Sequence, residues 1–147
     1  MSSQALESDR ENAEIFHGNE ICKEKIQQTL KEFDLPNGLL PLEEVSEVGI
    51  NRITGFVWVK QKSSSKHVFQ TIDKTVEYDE EVTGFIQKRR LKKVKGVKVK
   101  ELLIWVTLGD FSIEENDPEK IVIKTAIYGI PRTYPVSAFL LEEGEKN

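Results

Sequence analysis

The sequence is poor in the residues that carry common protein chemistry. Its single cysteine, Cys22, excludes an intramolecular disulfide and is compatible with a reducing compartment. The two histidines, His17 and His67, have no further ligands at metal-site spacing, so we predict no metal site. Neither a glycine-rich phosphate loop nor a Gly-x-Ser-x-Gly motif occurs. The sequence therefore predicts no cofactor and no catalytic residue, which favours a protein that is not an enzyme.

Long apolar runs are also absent. The longest, Leu102–Val106, is far shorter than the roughly 20 residues that a transmembrane helix needs. The first ten residues lack the apolar segment of a secretory signal. A net charge of −4 gives no overall attraction to nucleic acid, so a nucleic-acid partner is not expected. These features predict a monomer in the cytoplasm, with the nucleus as the alternative location.

The length of 147 residues suits one domain, which buries roughly 70% of the unfolded surface without a disulfide or metal. Residues 1–18 are polar and acidic and predict a flexible arm. Residues 19–141 predict a single β-rich domain with an N-terminal helix. Residues 142–147 are rich in glutamate and lysine and predict a disordered tail.

The helix is predicted from Asn19, a plausible N-cap residue. Apolar or small residues then recur at spacings of three and four, at Ile21, Cys22, Ile26, Thr29, Leu30 and Phe33. This amphipathic helix is expected to pack on a sheet. It ends at the segment 35–41, Leu-Pro-Asn-Gly-Leu-Leu-Pro, where Pro36 disfavours helix and Asn37-Gly38 tolerates positive φ. We expect a sharp turn there.

The rest of the chain is dense in β-branched and aromatic residues. Predicted strands begin in the run 45–59 and continue at 67–72, 75–78, 82–87, 97–108, 111–113 and 121–128. Turn residues lie at 63–66, 72–74, 78–81, 108–110 and 116–119. Segment 129–135 contains two prolines and predicts an ordered strap, followed by a short helical turn at 136–141. The fold class predicted is mainly β: an antiparallel meander forming a partly closed barrel, with the N-terminal helix packed on it. The larger aromatic residues are expected in its core, namely Phe56, Trp58, Phe69, Phe85, Trp105 and Phe111.

Four segments together resemble the plant family catalogued as domain of unknown function 538. They are the 35–41 turn, Val82-Thr83-Gly84-Phe85-Ile86, Gly96-Val97-Lys98-Val99-Lys100 and Leu102-Leu103-Ile104-Trp105-Val106, in that order. The resemblance extends from Leu30 to about Tyr128. It implies a compact, mostly β domain preceded by a helix, of plant origin, and a family-level link to lipid-binding proteins of the bactericidal/permeability-increasing type. It implies no catalytic residues. The chain differs from many members in having no signal peptide and in its abundant lysine around Gly96.

A basic run is the strongest candidate for function. Eight cations and no acid lie between Lys88 and Lys100, while the other 13 basic and 25 acidic residues give the remainder a charge of −12. A bulge at Gly96 would bring the lysines on its two sides onto one face of a strand. The candidate anion-binding residues are Arg89, Arg90, Lys93, Lys95, Lys98 and Lys100. The alternative is a solvated strand whose lysines prevent edge-to-edge aggregation.

These observations lead to one functional hypothesis and two alternatives. The main hypothesis is a non-enzymatic module that binds an amphipathic or anionic, lipid-like ligand, using the lysines and the barrel interior. One alternative is a small hydrolase that pairs His67 with a serine of the preceding Ser-Ser-Ser-Lys loop. The other is an interaction scaffold whose basic face contacts an acidic protein partner.

Overall fold

The computed structural model describes residues 7–141. A nine-stranded sheet and two α-helices account for most of this part of the chain, which ends in a 3-10 turn at Val136–Phe139. In chain order the elements are α1 (Glu7–Glu11), β1 (Ala13–His17), α2 (Asn19–Glu32), β2 (Val45–Asn51), β3 (Phe56–Gln61), β4 (Ser65–Phe69), β5 (Lys74–Gln87), β6 (Arg90–Glu101), β7 (Ile104–Glu114), β8 (Asp117–Thr125) and β9 (Pro131–Pro135).

All neighbouring strands are antiparallel, in the order β1-β2-β3-β5-β6-β7-β8-β9. The sheet is curled but not closed, because its edge strands β1 and β9 do not pair with each other. Its inner face carries the core, including Val48, Val59, Val82 and Val97, and is covered by α2 and the 35–42 segment. The opposite, outer face carries Trp58 and Phe85. The predicted mainly β meander with one packed N-terminal helix is confirmed.

Strand β5 is the longest strand, with 14 residues, and pairs with two strands along one edge. Its first half pairs with β4 and its second half with β3. The turn predicted at 78–81 is therefore wrong, because Asp79, Glu80 and Glu81 continue the strand. A charged side chain does not prevent strand formation where the backbone is paired, as Glu81 is with Lys60 of β3.

The predicted strand 97–108 is instead two strands. The chain reverses at Leu102-Leu103, with Leu102 at φ 56, so that β6 and β7 form a hairpin. The turn expected at 108–110 lies inside β7, where Gly109 coincides with a register shift between β7 and β8. A glycine that suggests a turn thus marks an irregularity within a strand.

Helix α2 buries the predicted apolar stripe through Cys22, Ile26 and Leu30. Its N-cap is Gly18, however, and the predicted cap Asn19 has a different role. The Asn19 side-chain oxygen accepts a hydrogen bond of 2.8 Å from the Val45 amide. Asn19 therefore joins the helix to β2.

Part of the expected flexible arm has regular structure. Strand β1 pairs with β2 along its whole length, from Ala13 opposite Asn51 to His17 opposite Glu47. Arg52 stabilises this edge through ion pairs to Glu14 at 2.7 Å and to Glu32 of α2 at 2.5 Å. Residues 7–17 therefore belong to the folded unit; residues 1–6 and the predicted tail 142–147 lie outside the described residues.

The 35–41 turn joins the start of the domain to its end. The Gly38 amide donates to the Phe139 carbonyl at 2.8 Å, and the Leu141 amide donates to the Asn37 side chain at 2.9 Å. Gly38 does not adopt the positive φ expected from the sequence. Glycine is required there because a Cβ atom would lie 2.6 Å from the Phe139 carbonyl oxygen.

The segment predicted as a strap contains an edge strand. Pro131–Pro135 pairs with β8 as β9, and its prolines are accommodated because β9 has no neighbour on its other side. The short helical turn predicted after it is present at Val136–Phe139 and buries Phe139.

Four of the six aromatic residues expected in the core are buried: Phe56, Trp58, Phe69 and Phe111. Phe85 is half-buried on the outer face. Trp105 is also half-buried, and the Lys66 ammonium lies 5.5 Å from the centre of one of its rings. The apolar run 102–106 predicts a core position for Trp105, but this run contains an exposed turn.

Candidate ligand-binding site

A cavity of about 580 Å³ lies on the inner face of the sheet, beyond the area that α2 covers. This volume is within the usual range of small-molecule sites. Strands β5 to β9 form its walls. The buried apolar side chains in its lining are Leu39, Phe69, Val76, Val97, Val99, Leu108, Phe111, Ile123 and Phe139.

The 35–41 turn and the C-terminal 3-10 turn contribute to the closed end of the cavity. The Tyr78 hydroxyl, which is fully buried, donates a hydrogen bond of 3.0 Å to the Leu39 carbonyl. Burial raises the pKa of Tyr78 well above its ordinary value, so the phenol stays neutral. The Phe139 ring packs on Phe69 with 4.8 Å between their centres. This end is therefore apolar, and the Tyr78 hydroxyl already has its hydrogen-bond acceptor in the Leu39 carbonyl.

The open end lies among three loops: the β4–β5 turn at 70–73, the β6–β7 turn at Leu102-Leu103, and the β8–β9 loop at 126–130. Leu102 and Leu103 line the cavity and are nevertheless 93% exposed. Ile104 and Ile130 also line it and are exposed. The apolar lining thus continues onto the outside of the molecule.

Few charged groups border the cavity. Lys74 and Glu101 pair with each other at 3.2 Å and compensate each other's charge. The Arg132 guanidinium, also in the lining, donates to its neighbouring Pro131 carbonyl at 3.1 Å. It has no ion pair with any carboxylate of residues 7–141. Arg132 is therefore the charge in the lining that is available to an anionic group.

The predicted basic residues are spread along the whole of β6 and the turn before it. Arg89 and Arg90 lie at the end opposite the cavity mouth, and Lys100 lies at the mouth, roughly 30 Å away at the usual rise of a strand. Arg90 pairs with Asp110 at 2.6 Å. The structure therefore does not bring the six candidates into one compact site.

Two bulges arrange the lysines as the sequence suggested. Gly96 has φ 91 and Lys93 has φ 52, and the pairing of β6 with β5 shifts at both places. Lys93, Lys95, Lys98 and Lys100 consequently lie on the outer face, while Val94, Val97 and Val99 are buried. We call these four residues the lysine ladder.

The lysine ladder and the cavity are on opposite faces of the sheet. Val97 and Val99 line the cavity, so the alternating side chains of Lys98 and Lys100 point away from it. Lys98 pairs with Glu77 at 3.5 Å, and the Lys93 ammonium lies 5.7 Å from the centre of the Phe85 ring. Lys95 and Lys100 have no ion pair within the described part of the chain.

The groups considered for other chemistry have structural partners. The Ser65 hydroxyl donates to the Gln61 side chain at 3.1 Å, and the His67 ring packs edge-on against Phe69 at 4.6 Å. Cys22 is fully buried, its thiol donates to the Phe16 carbonyl at 3.3 Å, and burial raises its pKa. Residues 7–141 contain no cluster of three or more side chains suited to a metal ion. No helix in this range is long and apolar enough to cross a bilayer.

The cavity mouth is not apparent from the sequence. The apolar character of Leu102 and Leu103 predicts a strand, whereas the structure has a turn at these two residues. Twelve residues is about twice the usual strand length, but β5 and β6 are as long or longer, so the length of the predicted strand does not reveal the reversal. Ile127 and Tyr128 likewise fall within the predicted strand 121–128, whereas β8 ends at Thr125.

Comparison with known proteins gives a family but no function. No curated protein and no solved structure matches the chain significantly. A family model described as "Protein of unknown function, DUF538" matches residues 26–140, which include the second half of α2, the 35–41 turn, strands β2 to β9 and the C-terminal 3-10 turn. The chain therefore belongs to the DUF538 family.

Proposed function

We propose that this protein is a binding module for an amphipathic, lipid-like molecule. The apolar part of the ligand would occupy the cavity, and an anionic group would lie near Arg132. The observation that carries the proposal is an apolar cavity of about 580 Å³ whose lining includes an arginine without a carboxylate partner in residues 7–141.

The lining favours a hydrocarbon. Each methylene group transferred from water gains ~0.8 kcal/mol, so about ten of them supply ~8 kcal/mol before the cost of association. The buried hydroxyl of Tyr78 is not available as a donor to the ligand, because it donates its hydrogen bond to the Leu39 carbonyl. The cavity therefore offers an apolar chain a favourable environment and offers a polar one few partners.

The position of Arg132 favours an anion over a neutral polar group. A guanidinium binds a carboxylate or phosphate with charge-assisted and often paired hydrogen bonds. The adjacent Lys74–Glu101 pair has no net charge, so the Arg132 charge is not cancelled locally. Because Arg132 is exposed to water, the free energy that it contributes to binding an anion is reduced.

The lysine ladder is assigned a separate role in this proposal. It was hypothesised to contact the anionic part of the ligand, but its side chains lie on the outer face, away from the cavity. The ladder remains a candidate surface for an anionic ligand or an acidic protein partner.

Titration with dansyl undecanoate, a fluorescent amphiphile, tests the proposal. We expect saturable binding by the wild-type protein and strong loss in Val99→Trp, since Val99 lines the cavity. Val68→Trp is the matched control, because Val68 is 47% exposed on the opposite face of β4. Arg132→Gln is expected to weaken binding about tenfold, in line with a lost hydrogen bond to a charged group.

The charge contribution has its own control. Arg132→Gln should bind the uncharged methyl ester of the probe as well as the wild type does, and Arg89→Gln at the far end of β6 should leave both titrations unchanged. Equal probe affinity in the wild type and in folded Val99→Trp would refute the proposal. If Val99→Trp does not fold, an unaltered affinity in Ile123→Phe, which narrows the same cavity, would refute it as well.

A further inference from the structure

We propose that the open end of the cavity docks onto a lipid bilayer that carries anionic headgroups. The surface concerned is the apolar tip, which comprises the exposed residues of two adjacent loops: Leu102, Leu103, Ile104, Ile127, Tyr128 and Ile130. The inference rests on the proposed function of the cavity and names the source from which its ligand would enter.

The apolar tip is a concentrated feature of the surface. Six of the ten large hydrophobic side chains exposed in residues 7–141 belong to it, and three of them are 93% exposed. Single exposed apolar residues are common, whereas a contiguous group usually marks an interaction site. The tip therefore needs a partner that covers it.

Hydrogen bonds hold the β8–β9 loop in place, and the pairing of Glu101 with Ile104 closes the β6–β7 turn. The Thr125 hydroxyl donates to the Ile127 carbonyl at 2.6 Å and accepts from the Ile130 amide at 2.8 Å. The Ala126 amide donates to the Thr107 carbonyl at 2.9 Å, which ties the β8–β9 loop to β7. The apolar side chains are thus presented outward by an ordered scaffold.

Folding stability does not explain why position 102, in the β6–β7 turn, is a leucine. Leu102 has φ 56, a conformation that costs a leucine free energy and that glycine or asparagine adopts more readily. Because Leu102 is almost fully exposed, its side chain contributes little core packing in return. Insertion of the side chain into a bilayer would give this residue a favourable environment.

Charge complementarity indicates an anionic bilayer. Lys100, Lys124 and Arg132 lie within a few residues of the tip and form no ion pair among residues 7–141. One acid without an ion pair, Asp73, borders the same end. When the tip enters the bilayer, these cations lie at the depth of the headgroups, where long basic side chains are stable.

The same charges disfavour a second copy of the chain as the partner. Two tips packed face to face would bring the cations of both copies together, with one acid each to offset them. A bilayer has no such cost. Tyr128 suits this choice, since aromatic rings with a polar end concentrate at membrane–water interfaces.

Docking in this orientation places the cavity mouth against the lipid. Leu102, Leu103, Ile104 and Ile130 belong both to the tip and to the cavity lining. An apolar chain leaving the bilayer would therefore pass over apolar side chains into the cavity without crossing water.

Co-sedimentation with vesicles tests the docking surface. Wild-type protein is expected to bind phosphatidylcholine vesicles containing phosphatidylserine more tightly than phosphatidylcholine alone, and less tightly in high salt. The double variant Leu102→Ser/Ile127→Ser changes one residue on each loop and should lose about tenfold or more in vesicle affinity, as expected from two apolar contacts. Ile53→Ser is the control, because Ile53 is 78% exposed in the turn between β2 and β3.

A charge comparison separates Lys100, the lysine-ladder residue beside the tip, from Lys93 and Lys95, the ladder residues that lie away from it. Lys100→Gln/Lys124→Gln should remove most of the preference for phosphatidylserine, and Lys93→Gln/Lys95→Gln should retain it. The inference fails if the ladder variant loses that preference while the tip variant keeps it. It also fails if wild-type protein binds neither kind of vesicle.

Two further measurements keep docking distinct from cavity binding. Ile127→Ser/Tyr128→Ser, which changes two tip residues that do not line the cavity, should weaken vesicle binding and still bind monomeric dansyl undecanoate, whereas folded Val99→Trp should still bind vesicles. A wild type that binds the probe but no vesicle refutes docking alone, and the reverse refutes the cavity alone. A wild-type dimer that becomes monomeric in Leu102→Ser/Ile127→Ser, by sedimentation velocity, would identify a second copy as the partner and overturn the inference.

Discussion

Glu47 of β2 provides a sharp test of what stabilises the N-terminal part of the fold. Its carboxylate is only 12% exposed and binds side chains from three other elements. Arg10 donates to it at 2.9 Å, Trp58 at 2.7 Å, and the His17 ring lies at 3.0 Å. The Lys60 ammonium is 3.8 Å away. Glu47 therefore links α1, β1 and β3 on the outer face of the sheet.

The magnitude follows from the pKa of this carboxyl group. Burial alone would raise the pKa, but the hydrogen bonds from Arg10, Trp58 and His17 and the charge of Lys60 lower it from 4.5 to about 2. The difference corresponds to ~3 kcal/mol of unfolding free energy at neutral pH. Because the folded-state pKa is the lower one, this stabilisation is present above pH 4.5 and is lost as the pH falls toward 2.

Urea unfolding of Glu47→Gln at several pH values measures this contribution. We expect a loss of ~2–3 kcal/mol at pH 7 relative to the wild type, and about half that difference at pH 3. Glu115→Gln is the control, because Glu115 is exposed and unpaired in residues 7–141, and it should change stability by less than ~0.5 kcal/mol. A Glu47→Gln difference that is the same at both pH values would refute the reasoning.

Two predictions concern single positions in the sheet. Gly96→Ala should destabilise by ~2 kcal/mol or more in urea unfolding, because φ is 91 and a Cβ would lie 2.4 Å from the Glu81 carbonyl oxygen. Gly129→Ala, with φ 55 and open space, should cost only ~1 kcal/mol, and equal losses would contradict the steric argument. Tyr78→Phe should cost ~1–2 kcal/mol by leaving the Leu39 carbonyl unpaired, and a stability equal to the wild type would show that this hydrogen bond contributes nothing.

Local patterns were sufficient for parts of the fold. The 3.6-residue period predicted α2, and the turn at 35–41 follows from its proline, asparagine and glycine. The parity change at Gly96 predicted the bulge, because the residues of the lysine ladder lie at odd positions before Gly96 and at even positions after it. In each case the signal lies within a few residues of the feature.

Other features depend on long-range pairing that the sequence does not display. Asp79, Glu80 and Glu81 favour a turn locally, but pairing with β3 keeps at least Glu81 in the strand. The reversal at Leu102 was hidden because residues in the core and residues at the tip are both apolar. Apolar character alone cannot show which of them water reaches.

The cavity could not be predicted from residue types for a related reason. Val99 and Ile123 would suit a filled core as well as a hollow one. The curvature of the sheet determines whether space remains between them, and curvature results from bulges and strand pairing over the whole domain.

The link between the 35–41 turn and the C-terminal segment has a consequence for synthesis. Asn37 and Leu141, which share a hydrogen bond, are 104 residues apart. At about 5–20 residues per second, roughly 5–20 s separate the translation of the two partners. Asn37 and Gly38 can therefore form their hydrogen bonds to Leu141 and Phe139 only after the strands between them have been synthesised. The closed end of the cavity is completed last, and a nascent chain that stops before Phe139 has a cavity open at both ends.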